Sequence, residues 1–333
     1  MLIQYIMSIV DNIIAGTPLT RNQAARIVAA DYSEIPALLW GADRLRRHYF
    51  QDTIVNCSIV NAKCGSCSED CVYCAQSIQY STGVQSYPLM DRDRLAAEAI
   101  KAAENSSNHF GFVTSGKRLN DTDVDTICSV IKELKRKNVP LEYCLSLGIL
   151  TDQQLGRLKS AGAVRYHHNL ETSESHYPNI CTTHSWQDRV ETVKNAQKNG
   201  LQVCSGALFG LGETWRDRID LGFALADLKV DSIPLNFLNP IEGTPGAQFP
   251  RLLPLDALKT IVLFRFIHPA REIKICGGRE ANLRDLQSMI FYAGANGFMT
   301  GNYLVTKGRA AADDLQMIKD LSMTLEQATH SST

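Results

Sequence analysis

Two rhythms of apolar and polar positions divide the chain. Residues 1–50 carry apolar side chains at helical spacing. In the first segment Met1, Ile3, Ile6, Ile9 and Ile13 share one face, and residues 19–29 and 35–50 continue the pattern. From residue 52 onward, short β-rich apolar runs alternate with longer amphipathic stretches. The runs at 53–60, 109–114, 141–146, 164–169, 201–206, 232–237, 272–277 and 297–301 read as eight strands. The stretches at 93–105, 123–137, 152–161, 185–199, 215–227, 255–267 and 282–295 read as helices between them. This alternation predicts an α/β fold: a closed (β/α)8 TIM-type barrel with an N-terminal helical extension. An open doubly wound sheet is the competing architecture, but no Gly-rich dinucleotide fingerprint follows the first strand. The expected division is a helical extension over 1–50, a barrel over 51–320 and a C-terminal tail over 321–333. Glu104–Asn108 and Leu119–Asp123 read as polar loops, and Gly200 stands where a left-handed helix cap belongs.

A chain of 333 residues, 44% of them hydrophobic, can bury a large core. Its net charge of −1 gives no electrostatic reason to bind nucleic acid or an anionic membrane, so a small molecule is the expected ligand. No apolar run reaches the roughly 18 residues of a membrane span. The apolar start has no basic flank or small-residue cleavage site, so it reads as a helix rather than a signal peptide, and the expected location is the cytoplasm. The ten cysteines then signify metal, redox chemistry or packing rather than disulfides.

Chemistry in such barrels sits at the C-terminal ends of the strands. After the first strand comes Cys67-Ser68-Glu69-Asp70-Cys71-Val72-Tyr73-Cys74, spaced C-x3-C-x2-C. Three thiolates on one loop can hold three irons of a cubane and leave the fourth iron open. Zinc wants four ligands, usually with a C-x2-C or His pair elsewhere in the chain, and outside residues 64–74 none stands at zinc spacing. The motif resembles the signature of the radical SAM superfamily. That resemblance implies a 4Fe–4S cluster whose open iron binds S-adenosylmethionine (SAM) and whose electron cleaves it to a 5′-deoxyadenosyl radical.

Cys57, Cys144, Cys204 and Cys276 lie on the first, third, fifth and seventh expected strands. Side chains of one barrel layer come from alternate strands, four to a layer, so these four can converge inside the barrel. Each alone would pass for a small buried hydrophobe. Together they point to a second iron–sulfur cluster. Cys128 in a helix and Cys181 in a loop read as packing or surface residues, and Cys64 lies beside the first cysteine loop.

Five stretches, 62–77, 165–173, 203–214, 234–245 and 275–280, each near a strand end, together resemble the biotin synthase family over residues 20–320. The resemblance implies conversion of dethiobiotin to biotin, with sulfur drawn from an auxiliary cluster. It implies that Cys67, Cys71 and Cys74 hold the SAM cluster. Asn169, Glu171, Gly210 and Glu213 fall in SAM-binding motifs, with Glu171 where an Asp is common. Asn236 would hold the ureido group of the substrate, since an amide both donates and accepts. Cys144, Cys204 and Arg279 match positions near the auxiliary cluster. The family's usual strand-two cysteine is replaced by Gly111, while Cys57 and Cys276 are added. The expectation is therefore a relocated auxiliary cluster on Cys57, Cys144, Cys204 and Cys276, of four-iron rather than two-iron type, with Arg279 left as a nearby charge. A radical SAM mutase or metal-cofactor maturase is the alternative enzyme, and an iron–sulfur carrier the non-catalytic one. The family resemblance also implies a flavodoxin or ferredoxin as electron donor and a homodimer.

Overall fold

The computed structural model describes residues 2–326. Met1, expected on the apolar face of the first helix, and residues 327–333 of the expected tail lie outside the described residues. Helix α1 (Leu2–Ile14) buries Ile6, Ile9, Val10 and Ile13. Ile3 does not share that face: it is 41% exposed, and Val10 completes the stripe instead. Helix α2 (Arg21–Val28) starts at a capping box between Thr20 and Gln23, and α3 (Ile35–Phe50) carries Pro36 in its first turn.

The strands are β1 (Thr53–Lys63), β2 (His109–Thr114), β3 (Glu142–Ser146), β4 (Arg165–His167), β5 (Gln202–Cys204), β6 (Ala207–Phe209), β7 (Ser232–Phe237), β8 (Glu272–Ile275), β9 (Gly297–Met299) and β10 (Thr324–Leu325). Their pairings run in parallel around a ring that closes where β1 meets β9, with Cys57 opposite Met299. The barrel is the expected one, but its fifth staple is split. β5 pairs with β4 and touches β7 only at Cys204–Ser232, whereas β6 pairs with β7 from Ala207 to Phe209. Between them Gly206 is pressed onto β7: a Cβ there would lie 1.9 Å from the Pro234 carbonyl oxygen. The expected tail is also not free at its start, because Thr324 and Leu325 pair with Thr53 and Ile54 of β1.

Helices α4 (Arg92–Glu104), α5 (Asp121–Arg136), α6 (Asp152–Ala161), α7 (Trp186–Lys198), α8 (Trp215–Asp227) and α9 (Pro254–Ile267) surround the barrel. Side chains of Asp91, Asn120, Thr151, Ser185 and Thr214 cap the first five. Part of the expected polar loop at Leu119–Asp123 is therefore the first turn of α5, and Leu119 is buried. Gly200 follows α7 with φ +73°, as a left-handed cap requires. The expected helix at 282–295 is broken into α10 (Arg279–Leu283), a 3-10 turn at Arg284–Leu286 and α11 (Met289–Tyr292). Arg284 at φ +51° interrupts it, while the Asn282 amide donates to the Leu238 and Gly278 carbonyls. Helix α12 (Ala311–Asp320) precedes β10.

α1 packs on α3, α3 on α9, and α2 on α8 and α9. Their apolar side chains join those of the strands and outer helices in one continuous core. No described helix is long and apolar enough to cross a membrane.

Candidate active site

The loop after β1 is a hydrogen-bonded scaffold. Cys64 and Tyr87 exchange backbone bonds at 3.2 and 3.0 Å across its base. Further in, Cys67 N donates to the Gln76 carbonyl, Ile78 N to the Cys67 carbonyl, and Cys74 N to the Cys71 carbonyl. These bonds turn Cys67, Cys71 and Cys74 toward one recess of about 160 Å³, which His168, Lys117 and Arg189 also line. All three thiols are free. Burial pushes the Cys74 thiol up to about 11, a penalty that coordination to a cation removes. The Nε2 atom of His168 is buried and has no partner. Three convergent thiols and an unpaired imidazole nitrogen fit a three-cysteine iron–sulfur cluster with a polar ligand beside it.

Tyr73 and Thr114 separate this recess from a cavity of about 400 Å³ inside the barrel. Cys57 of β1, Cys144 of β3, Cys204 of β5 and Cys276, one residue past β8, all line that cavity. The alternate-strand expectation therefore places its four sulfurs in one chamber, each residue no more than 7% exposed. Gly111 lines the same wall, in register with Ile59 and Cys144. Among the described residues, the only three metal-type ligands within 4.8 Å of one another are Cys71, Cys181 and His184. The barrel sulfurs are thus spaced too widely for one zinc ion with Zn–S bonds of about 2.3 Å, and a multi-iron cluster suits them better.

Buried charges lie beside these thiols. Lys274 lines the cavity, and its ammonium is 2.7 Å from the Glu272 carboxylate, which also takes Arg165 at 3.0 Å. His109 Nδ1 is 3.2 Å from Glu142, and His167 Nδ1 is 3.4 Å from the Cys204 sulfur. Burial pushes the thiols of Cys57 and Cys144 up. Burial pushes Cys204 the same way, but the Lys274 ammonium and His167 outweigh it and bring the thiol down to about 7. Lys274 escaped the sequence reading because a lone lysine in a strand looks solvent-facing. The period-two spacing of Glu272, Lys274 and Cys276 was the available signal.

Asn169 and Glu171 line the cavity near Tyr73. Asn169 Oδ1 accepts from Gly206 N at 3.0 Å, and its Nδ2 donates to Glu171 at 3.4 Å. Glu171 is held at φ +69°, with Arg189 3.6 Å from its carboxylate. Asn236 of β7 also faces the cavity, donating to the Ala207 carbonyl at 3.0 Å and accepting from Gly277 N at 2.9 Å. One N–H and one lone pair of that amide stay free for a ligand. Leu208, Ile241, Leu304 and Val305 supply apolar lining around it.

Residues 63–223 match the radical SAM superfamily, and residues 234–324 match the biotin and thiamin synthesis associated domain. The chain is 46% identical to the biotin synthase of Geobacter sulfurreducens, over 98% of this chain and 99% of that relative. It is 47% identical to the biotin synthase of Endomicrobium trichonymphae, over 94% and 96%. The chain belongs to the biotin synthase family. It is therefore a radical SAM enzyme of sulfur insertion, and the 4Fe–4S cluster and SAM belong to its chemistry. Among solved structures, methylornithine synthase superposes with a TM-score of 0.82 at 19% identity, covering 96% of this chain and 98% of that one. The FeFe-hydrogenase maturase HydG from Carboxydothermus hydrogenoformans superposes with a TM-score of 0.82 at 17% identity, over 98% and 80%. At such identities the likeness is one of fold.

Three residues that the resemblance to the biotin synthase family sets near the ligands lie outside the lining of this cavity. Gly210 and Glu213 do not line the cavity. The Glu213 carboxylate is spent on its own turn, accepting from Gly210 N at 3.0 Å and Leu211 N at 2.7 Å and pairing with Arg218 at 2.7 Å. Arg279 also lies outside the cavity lining. It is fully buried behind Cys276, 2.7 Å from Asp314, with Nε and Nη1 unpartnered. Of the cations near the thiols, Lys274 is the one that lines the cavity. Cys181, expected to be packing or surface, sits with its sulfur 3.7 Å from that of Cys71. Cys128 packs in the core on α5 as expected.

Proposed function

We propose that this enzyme converts dethiobiotin to biotin, with Cys67, Cys71 and Cys74 holding the SAM cluster and Cys57, Cys144, Cys204 and Cys276 holding an auxiliary, four-iron cluster that donates sulfur. The convergence of the four barrel cysteines on one cavity with Asn236 and Glu171 carries this reading. When bound, SAM and its cluster supply one-electron chemistry that removes hydrogen from an unactivated carbon. The chain's own residues position and shield. Asn169 and Glu171 offer an amide and a carboxylate to the hydroxyls of SAM. Asn236 offers its remaining donor and acceptor to the ureido group, and Leu208, Ile241 and Val305 cover the aliphatic part and exclude water. Lys274 offsets the charge of the four thiolates. A cytoplasmic homodimer fed by a flavodoxin or ferredoxin completes the proposal.

The test is anaerobic reconstitution with iron and sulfide, followed by dethiobiotin, SAM and a reductant, with products read by mass spectrometry. Biotin accompanied by 5′-deoxyadenosine is the expected result. Deoxyadenosine without any sulfur-containing product would replace the substrate assignment with a mutase or maturase activity.

A further inference from the structure

Cys181 and His184 belong to no part of the reaction described above, yet they are fastened beside its first cluster loop. Asp70, between Cys67 and Cys71, accepts from the backbone of Thr182 at 2.9 Å and of Thr183 at 3.2 Å, and from both threonine hydroxyls. Glu69 takes His184 Nδ1 at 2.7 Å, and Val72 N donates to the Ile180 carbonyl at 2.9 Å. Lys117 donates to the Thr183 carbonyl at 3.2 Å and so closes the far side. The turn at 180–184 is thereby stapled against residues 69–72. It holds the Cys181 sulfur 3.7 Å from the Cys71 sulfur and 3.3 Å from His184 Nδ1, with all three side chains buried.

Ligand atoms around one tetrahedral zinc stand about 3.3–3.8 Å apart, given Zn–S bonds of about 2.3 Å and Zn–N bonds of about 2.0 Å. The two distances just given match that spacing, which the barrel cysteines do not. Two sulfurs and an imidazole are a soft set that selects zinc or ferrous ion over magnesium or calcium. Three protein ligands leave a fourth position, within reach of the Glu69 carboxylate or water.

We propose that Cys71, Cys181 and His184 form a mononuclear site for a thiophilic divalent cation, Zn2+ or Fe2+, occupied when the chain lacks the cluster on its first cysteine loop. On binding, the two thiols release their protons to solvent and no electron moves. The site and the cluster compete for Cys71, so a bound zinc ion must leave before the cluster is built. That competition rests on Cys71 being a cluster ligand; cation binding itself does not.

The experiment uses the full chain, cluster-free and anaerobic, titrated with Co2+. Thiolate-to-cobalt charge-transfer bands and tetrahedral visible bands saturating at a single ion per chain are expected. Cys181→Ser and His184→Gln should each weaken Co2+ binding by about 100-fold or more, beyond what loss of even an outer partner costs. Preloaded Zn2+ should slow cluster reconstitution in the unsubstituted chain but not in C181S, read as iron, sulfide and visible absorbance. Reconstituted C181S should match the unsubstituted chain in iron content, which establishes that it folds. Co2+ affinity of both variants within about twofold of the original, at the same band positions, would overturn the proposal: the cation would then sit on Cys67, Cys71 and Cys74.

Discussion

Lys274 and Glu272 stand two residues apart on one face of β8, ammonium to carboxylate at 2.7 Å, and the same carboxylate receives Arg165 from β4 at 3.0 Å. One largely buried anion thus balances two buried cations next to four thiols. Burial alone would raise the Glu272 carboxyl, but Lys274 and Arg165 hold it far below the usual carboxylate range. Glu272→Gln strands both cations, and removing one partner of a buried pair costs about 3–5 kcal/mol. Chemical unfolding of the cluster-free chain should record a loss of that size, unchanged between about pH 5 and 8 because the carboxylate is ionised throughout. The exposed pair Lys198–Asp152 should contribute no more than about 1 kcal/mol in the same measurement. Auxiliary iron should shrink the Glu272→Gln penalty, since bound thiolates bring the negative charge the variant lacks. A loss below about 1 kcal/mol would mean that water reaches the two cations.

Arg279 and Asp314 are both fully buried and paired at 2.7 Å. Arg279→Met should cost about 3–5 kcal/mol, because it leaves the buried Asp314 with only the half-buried Arg309 at 3.5 Å. The double variant Arg279→Met/Asp314→Leu should recover most of it, because replacing both partners leaves no buried charge behind. Iron per chain, measured after reconstitution, should stay at the original value in the double variant. A fall to the content of a single cluster would return Arg279 to the ligand set.

Cys57→Ser and Cys276→Ser separate the two clusters. Each should remove the auxiliary iron and leave that of the first loop, where Cys67, Cys71 and Cys74 are untouched. Deoxyadenosine should still form when SAM and reductant are added, while biotin falls to background. Full auxiliary iron in both variants would eliminate the four-cysteine cluster.

The barrel was legible because burial imposes a strict pattern: parallel strands enclosed on both faces read as apolar runs, and the helices between them repeat at 3.6 residues. The four barrel cysteines were legible for the same reason, since strand alternation fixes which residues share a layer. What failed were features set by contacts distant in sequence. The run at 201–206 gives no local sign that Gly206 must clear Pro234, so the split between β5 and β6 was invisible. The helical period at 282–295 continues through Arg284, and only the demands on Asn282 from Leu238 and Leu252 explain the break there. The partner of Arg279 was not legible either, because Gly278 at φ +75° turns the chain into α10 before it; a Cβ at Gly278 would strike the Phe237 carbonyl at 1.7 Å. Cys181 lies 110 residues from Cys71, and nothing local ties the two together.

Asn236 bridges the Ala207 carbonyl and Gly277 N while keeping half its hydrogen-bonding capacity for a ligand. Asn236→Ala should lower kcat/KM for biotin formation by about 5- to 150-fold, corresponding to about 1–3 kcal/mol for an unsatisfied polar group. Deoxyadenosine formed per biotin should rise, because a loosely held substrate is struck less often. Unchanged kcat/KM would assign Asn236 to holding β6 and the β8 turn together.

Stability should fall in mild acid through buried histidines. Burial, with Lys274 and Arg165 adding to it, brings His109 down to about 3, and burial with Arg265 does the same to His268. Both stay neutral in the fold, while in the unfolded chain they protonate near pH 6.5. The unfolded state therefore binds more protons below about pH 6.5. The stabilisation is complete above that value and drains away as pH falls toward 3, by up to about 1.4 kcal/mol per pH unit for each histidine. Unfolding midpoints in denaturant should drop between about pH 7 and 5, before most carboxylates titrate. His268→Gln should flatten this slope by one proton, since a glutamine cannot charge in either state. An identical slope in that variant would mean that His268 is already protonated in the fold.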